Sequence, residues 1–376
     1  MTNAPEHHRD NGDTDSTRVA RQADPILDGA VPQTTVLPGD LEAERRVACD
    51  AERTIEERLE AFENITDSEV GDTQLSRARN IERETGLRQL YLKFDGGNPT
   101  GTQKDRIAFA QAMDALRRGF DTVTGATCGN YGAALAMAAS FAGLRSVIYI
   151  PHGYHSRRVE EMRRHGAEII EADGDYETAV EASRRSADEH EQYDANPGGA
   201  NTNLQLRAYG EIAYEIYDEL RDAPAAVAVP VSNGTTLAGI YRGFLSLYRR
   251  GKTSRMPRII AGSSYRKNPI VRSFLVAAPE CRDLSPSTIR ETAVNEPLIN
   301  WHSIDGNLAL DAMRSTNGWA AYASDRAMTR FSRLISAHEG LNVLPASSAG
   351  LIALLDGHRR DPLPHDRYVV VLTGRR

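Results

Sequence analysis

Lysine is scarce in this chain of 376 residues: it stands only at 93, 104, 252 and 267, so four of the 45 basic residues are lysine and 41 are arginine. Where arginine meets almost every need for a cation, a retained lysine stands out as an amine able to lose its proton, which a guanidinium is not. Lys93, Lys252 and Lys267 read as drift or solvated charge, which leaves Lys104. Cysteine is nearly absent as well. Cys49, Cys128 and Cys281 are odd in number, far apart and without a C-x-x-C pair, which excludes a disulfide scaffold and a cysteine zinc site and suits a reducing compartment. An excess of positive charge is missing: the net charge of −7 speaks against a nucleic-acid partner. Long apolar runs are missing too. The longest nearly uninterrupted one, Ala133 to Leu144, falls short of the ~20 residues a membrane helix needs. With no charged-then-apolar leader at the start, the expectation is a cytoplasmic protein without a membrane partner. No G-x-G-x-x-G follows a strand, so a dinucleotide dehydrogenase is a poor fit.

What is present is ordinary globular material, 40% hydrophobic and 26% charged, in a length that suits about two domains at ~150 residues each. Residues up to about 40 are rich in Asp, Asn, Thr and Pro and read as a disordered or peripheral tail, and the His7-His8 pair within it carries no metal reading. From Leu41 the pattern turns helical. From Tyr91 strand-like apolar runs alternate with helical stretches: Thr122 to Thr124, the Ala-rich helix Tyr131 to Phe141, SVIYIP at 146–151, AAVAVPV at 225–231, RIIAG at 258–262 and YVVVL at 368–372. Such alternation predicts an α/β fold with parallel sheets covered by helices on both faces.

Ligands in open α/β sheets bind where strands run into helices, because amides there are unpaired and the helix dipole favours anions. Three such junctions are unusual. Asn98-Pro99-Thr100-Gly101-Thr102-Gln103-Lys104-Asp105-Arg106 delivers Lys104 into a first helical turn, where a cation has the wrong sign for the dipole. Thr127-Cys128-Gly129-Asn130-Tyr131-Gly132 exposes backbone amides suited to a carboxylate, and the Asn130 amide is a donor to an anionic oxygen. Ser232-Asn233-Gly234-Thr235-Thr236 offers amides and hydroxyls before a helix, a generic phosphate cradle. Cys128 reads as a small buried filler. Tyr131 reads equally as a packing residue or as a cover over the substrate. His152 and His155 lack further ligands nearby, so no metal site is expected.

In this order the three motifs, closed by Thr373-Gly374, resemble the fold-type II pyridoxal-phosphate enzymes (the tryptophan synthase β superfamily), and within them threonine synthase. The resemblance runs from about Tyr91 to Thr373 and includes Gly318-Trp319-Ala320 and 345–349. It implies two doubly wound open parallel-sheet domains with the cofactor crevice between them: residues 56–104 and 205–376 as the large cofactor-binding domain, 105–204 as a smaller mobile inserted domain, and 1–55 as a peripheral tail. It implies that Lys104 holds pyridoxal 5′-phosphate covalently and moves the substrate's Cα proton, a task for a neutral amine. Asn130 would face the ring oxygen, Ser232, Asn233, Gly234, Thr235 and Thr236 the phosphate, and the Thr373 hydroxyl the ring nitrogen. Thr127, Cys128, Gly129, Tyr131 and Arg207 would bind the substrate. Two stretches depart from the threonine synthase pattern. Asn201 to Arg207 replaces an Asn-Pro-x-Arg segment, and Val294-Asn295-Glu296-Pro297 replaces one that reads like Arg-Ile-Gly-x-Pro. The function implied is a lyase or transferase of amino-acid metabolism acting on phosphohomoserine or a related small amino acid, in a homodimer. The alternatives are β-replacement or deamination of the cysteine synthase or threonine dehydratase kind, and a regulatory module that kept the fold without the chemistry.

Overall fold

A computed structural model describes residues 39–154, 156–174 and 176–376. The His7-His8 pair and His155 lie outside the described residues. In chain order the regular elements begin with α1 (Gly39–Cys49), α2 (Ile55–Glu69), β1 (Leu75–Arg77), α3 (Arg79–Thr85) and β2 (Leu90–Phe94). Then come α4 (Lys104–Arg117), β3 (Thr122–Ala126), α5 (Asn130–Ala142), β4 (Arg145–Pro151), α6 (Arg157–Arg164), β5 (Glu168–Ala172), α7 (Tyr176–Glu189) and β6 (Tyr193–Asp194). The chain closes with α8 (Thr202–Leu220), β7 (Ala226–Pro230), α9 (Thr235–Arg249), β8 (Arg258–Ser264), α10 (Pro269–Leu275), α11 (Gly306–Ser315), β9 (Trp319–Ala323), α12 (Asp325–Glu339), α13 (Ala349–Arg360) and β10 (Tyr368–Leu372).

Two sheets result. Six strands in the order β1-β2-β10-β7-β8-β9 form one, and four in the order β5-β4-β3-β6 form the other. Every pairing is parallel except β1 on β2. The α/β reading of the sequence is therefore correct. Its reason is visible in β7 and β10, whose five residues each are all buried, as happens only when helices cover both faces of a sheet. The four-stranded sheet lies wholly within residues 122–194, and the six-stranded one draws on both flanks of the chain.

Residues 39–55, placed by sequence in the peripheral tail, are partly structured. Leu41 and Ala48 of α1 are buried in the main core, and Thr54 caps α2 in a reciprocal box with Glu57. A handful of spaced apolar residues suffices to anchor a short helix, and composition alone does not register them. The lysines also sort differently from the sequence reading. Lys93 is 1% exposed and paired with Glu215.

The helices α8 and α9 cross so closely that glycine is required at the seam. A Cβ on Gly243 would run into the Gly210 carbonyl oxygen, and one on Gly239 would stand 2.6 Å from the Cβ of Tyr209. The apolar stripe Leu237, Ile240, Phe244 and Leu247 then buries one side of α9. A similar contact joins β8 to α13: a Cβ on Gly262 would collide with the Ala349 carbonyl. Since the obstacle is backbone, Gly262→Ala is expected to cost about 3 kcal/mol, the upper end of overpacking penalties. Urea unfolding with an unchanged m-value would register it, and a loss below about 1 kcal/mol would contradict the contact.

Candidate active site

The carboxyl ends of the strands of both sheets open on a cavity of about 860 Å³. Lys104 lines it from the first residue of α4. Its approach is braced from two sides. Asp105, fully buried, accepts from the Thr100 amide at 3.0 Å and the Thr100 hydroxyl at 2.7 Å, which shapes the Asn-Pro-Thr-Gly turn. Burial pushes the Asp105 carboxyl up to about 7 against the pull of these hydrogen bonds. From the other side the Gln103 amide donates to the Thr373 carbonyl at 3.0 Å, so the end of β10 is tied to the lysine. Gly101 sits at φ 86° with Arg375 packed where a Cβ would be, a place only glycine takes without strain.

Across the cavity, Thr127, Cys128, Gly129, Asn130 and Tyr131 line the junction between β3 and α5. Helix α5 begins without a side-chain cap, which leaves its first amides for a ligand. The Thr127 amide, expected to serve a substrate carboxylate, is already spent on the Tyr149 carbonyl at 3.1 Å. That is a correction: only the amides of the following residues and the Thr127 hydroxyl remain. Cys128 has the electrostatics of a packing thiol, since burial, followed by the charges of Glu296 and Glu291, pushes it up to about 12. The Tyr131 hydroxyl lies 2.6 Å from both the Gln111 side-chain oxygen and the Ala195 carbonyl. Its polar end is therefore held inside the protein, and packing explains it.

The third junction also lines the cavity, with Ser232, Asn233, Gly234, Thr235 and Thr236 leading into α9. Gly234 has φ 95°, and a Cβ there would stand 2.8 Å from the Asp305 carbonyl oxygen. No side chain caps α9, so its first amides and the positive end of its dipole face the cavity. The loop is held from behind. Asn268 donates to the Ser232 carbonyl at 3.0 Å, Asn300 to the Asn233 side chain at 2.9 Å, and the Asp305 amide to the Asn233 carbonyl at 3.0 Å. Thr235 spends its hydroxyl on Asp305 at 2.5 Å, where burial raises the carboxyl. Thr373 completes the ring of expected residues, its hydroxyl 3.1 Å from that of Ser347.

Arg207 is the expected site residue that the structure places elsewhere: it is exposed on α8 and absent from the cavity wall. At 100° per residue, Gln205 and Tyr209 share a face of α8 and Arg207 points away from it. Gln205 and Tyr209 line the cavity, and sequence reasoning missed both. So did it miss Glu296, whose carboxylate oxygen comes within 3.3 Å of the place a Cβ on Gly129 would take. Among the described residues no group of three or more His, Cys, Asp or Glu side chains is placed to hold a metal ion. No described helix is long and apolar enough to cross a membrane.

Comparison with known proteins agrees with this geometry. The family model described as pyridoxal-phosphate dependent enzyme matches residues 66–374. Curated relatives include the threonine synthase of Methanocaldococcus jannaschii, 28% identical over 305 residues that span 81% of this chain and 74% of the relative. The threonine synthase of Synechocystis is 31% identical over 307 residues, 81% of this chain and 76% of the relative. Among solved structures, maize serine racemase superposes with a TM-score of 0.69 at 20% identity, covering 85% of this chain and 93% of that one. The processed form of threonine deaminase isoform 2 from Solanum lycopersicum gives 0.69 at 14% identity, covering 87% and 90%. At those identities the last two speak for the fold.

Proposed function

We propose, starting from the fact that this chain belongs to the pyridoxal-phosphate-dependent enzymes and therefore uses pyridoxal 5′-phosphate, that it removes or replaces a substituent on the side chain of a small amino acid. The observation that carries the reading is Lys104 on the first turn of α4, in one cavity with the uncapped start of α9. Those residues fit the cofactor. The 232–236 loop offers uncommitted amides and a helix dipole to a phosphate, and a phosphate is the group whose charge that end of the cavity can balance. When bound, the cofactor supplies an electron sink for a carbanion at the substrate's Cα.

The chain's own residues divide the remaining work. Lys104 anchors the cofactor, then as a free amine takes the Cα proton and later returns one. The amides of Cys128 and Gly129 would receive the substrate carboxylate, and Asn130 would face the ring oxygen of the bound cofactor. Thr373, whose hydroxyl lies beside that of Ser347, would present it to the ring nitrogen of the bound cofactor. A hydroxyl does not enforce a protonated ring, and a tempered sink favours elimination and replacement over transamination. We assign the unit carrying the four-stranded sheet, residues 105–204, to closure over the bound substrate, which excludes water from the reacting carbon.

Threonine synthase-like chemistry is the specific case the curated relatives support. Deamination or β-replacement is a second reading, favoured by one observation: the cavity face of α8 carries Gln205 and no arginine. The test is direct. Purified protein is expected to be yellow, to bleach with borohydride, and to yield cofactor mass on the peptide containing Lys104. Product analysis with phosphohomoserine, phosphoserine and threonine then separates the reactions. A colourless preparation unable to take up added cofactor would overturn the proposal.

A further inference from the structure

The chain that leaves the carboxyl end of β8 borders a second cavity, of about 520 Å³, a volume that suits a small molecule. Three cations line it, Arg266, Lys267 and Arg272, with Asp283 as the one carboxylate among its lining residues, in a chain whose net charge is −7. Asp283 is already paired with His302 at 3.0 Å. What the cations touch is neutral. Arg266 lies over the Tyr265 ring at 5.2 Å, and Lys267 donates to the Arg290 carbonyl at 2.6 Å. Arg272 makes no ion pair among the described residues.

The turn that gathers these charges is strained. Arg266 has φ 57°, a left-handed conformation that costs a residue with a Cβ roughly 1–2 kcal/mol. Tyr265 is tied to β9 through its amide on the Ala323 carbonyl at 3.0 Å, and its ring meets Tyr322 edge to face at 5.4 Å, yet it is 53% exposed. Burial raises the Tyr322 phenol, while Arg272 and then Arg266 pull it back, so the fields of both guanidiniums meet beside that pair of rings. Like charges gathered without a counter-charge repel, and an anion between them removes that cost.

We propose that this second cavity binds a phosphate dianion, free or carried on a small organic body, and that its occupancy is felt in the active-site cavity. Two guanidinium forks and an ammonium match an oxyanion, and their three charges exceed what a single carboxylate offsets. The exposed Tyr265 ring offers a surface to the body of an organic phosphate. One segment walls both cavities: Leu284, Ser285 and Thr288 face the second, and Pro286, Ile289 and Glu291 the active site. Lys267 tethers that segment at the Arg290 carbonyl. An anion competes for the same ammonium, so its arrival changes what holds Ile289 and Glu291 in place. The inference stands apart from the reaction class proposed above.

The test uses the cofactor-loaded protein, whose 232–236 loop is then filled. Calorimetric titration with inorganic phosphate and with phenyl phosphate is expected to show saturable binding that weakens as sodium chloride is raised. Tighter binding of phenyl phosphate would assign the site to organic phosphates, and equal or weaker binding of it to the free ion. Arg266→Ala and Arg272→Ala are each expected to weaken binding about tenfold or more and to leave the cofactor absorbance of the unliganded protein unchanged. Saturation is expected to shift the emission of Trp301, which lines the active-site cavity, and the shift is expected to vanish in Trp301→Phe. Lys267→Met is expected to shift that emission with no phosphate present. No saturable heat at millimolar phosphate, or binding undiminished when Arg266→Glu and Arg272→Glu are combined, would overturn the site. Saturation that leaves both the emission and the cofactor absorbance unmoved, or a Lys267→Met emission identical to the parent's, would overturn the coupling.

Discussion

Lys104→Ala is expected to lower kcat/KM by roughly four orders of magnitude or more, since it removes both the cofactor's attachment and the group that moves the Cα proton, the latter alone being worth ~10²–10⁴-fold. The variant should still bind the cofactor without a covalent link, because the 232–236 loop and Thr373 are untouched. Lys104→Arg is expected to be equally inactive: it keeps the charge and much of the length, but a guanidinium does not shed its proton. Folding stability of the cofactor-free protein should be unchanged or slightly higher in the alanine variant, because an amine carrying its proton in the first turn of α4 opposes the helix dipole by ~0.3–1 kcal/mol. Steady-state assays, absorbance and thermal unfolding check these three outcomes. Activity surviving in Lys104→Ala within tenfold of the parent would refute the central assignment.

Glu215→Ala is expected to be the most destabilising single change that spares the cavity wall. Glu215 receives both terminal nitrogens of Arg106, at 2.5 and 2.9 Å, and the ammonium of Lys93. Arg106 in turn forks onto Asp95 at 2.8 and 2.9 Å, with the Thr73 hydroxyl on the same carboxylate at 2.7 Å. Lys93 is 1% exposed, and removing its partner strands a buried charge, at a cost of about 3–5 kcal/mol. Denaturant unfolding measures this, and a loss under ~1 kcal/mol would show that Asp95 and the Thr73 carbonyl suffice on their own. The same network sets an acid limit. Burial alone would raise the Glu215 carboxyl, but the Arg106 hydrogen bonds and charge, with Lys93, hold it at about 2. A carboxyl lowered by folding contributes its stability above the unfolded value near 4.5, and loses it as the pH falls toward 2. The parent protein should therefore lose stability steeply between these two values, and Glu215→Ala should show a shallower slope there.

The network also explains why Lys93 is a lysine. Scarcity singled out Lys104, and the other three lysines shared the same scarcity. What separates Lys93 is a charge 122 residues away in sequence, brought under β2 by the packing of α8. No local pattern carries that information. The Thr127 amide is a similar case: small residues after a strand announce a ligand loop, but β4 supplies the Tyr149 carbonyl that takes the first of its amides.

The residues to which the chemistry is assigned were legible in one dimension. Lys104 behind its Pro-Gly turn, the 127–132 junction, the 232–236 loop and Thr373 all sit at ends of strands or starts of helices, where a short motif dictates backbone shape and so predicts what the backbone offers. Which side chains share the cavity wall with them was decided by the tertiary structure. The choice between Arg207 and Gln205 on that wall depends on the rotation of α8 about its axis, and the backbone contact of Gly210 with Gly239 and Gly243 of α9 sets that rotation. A rotation of one helix against another is a property of two surfaces, and neither segment alone encodes it.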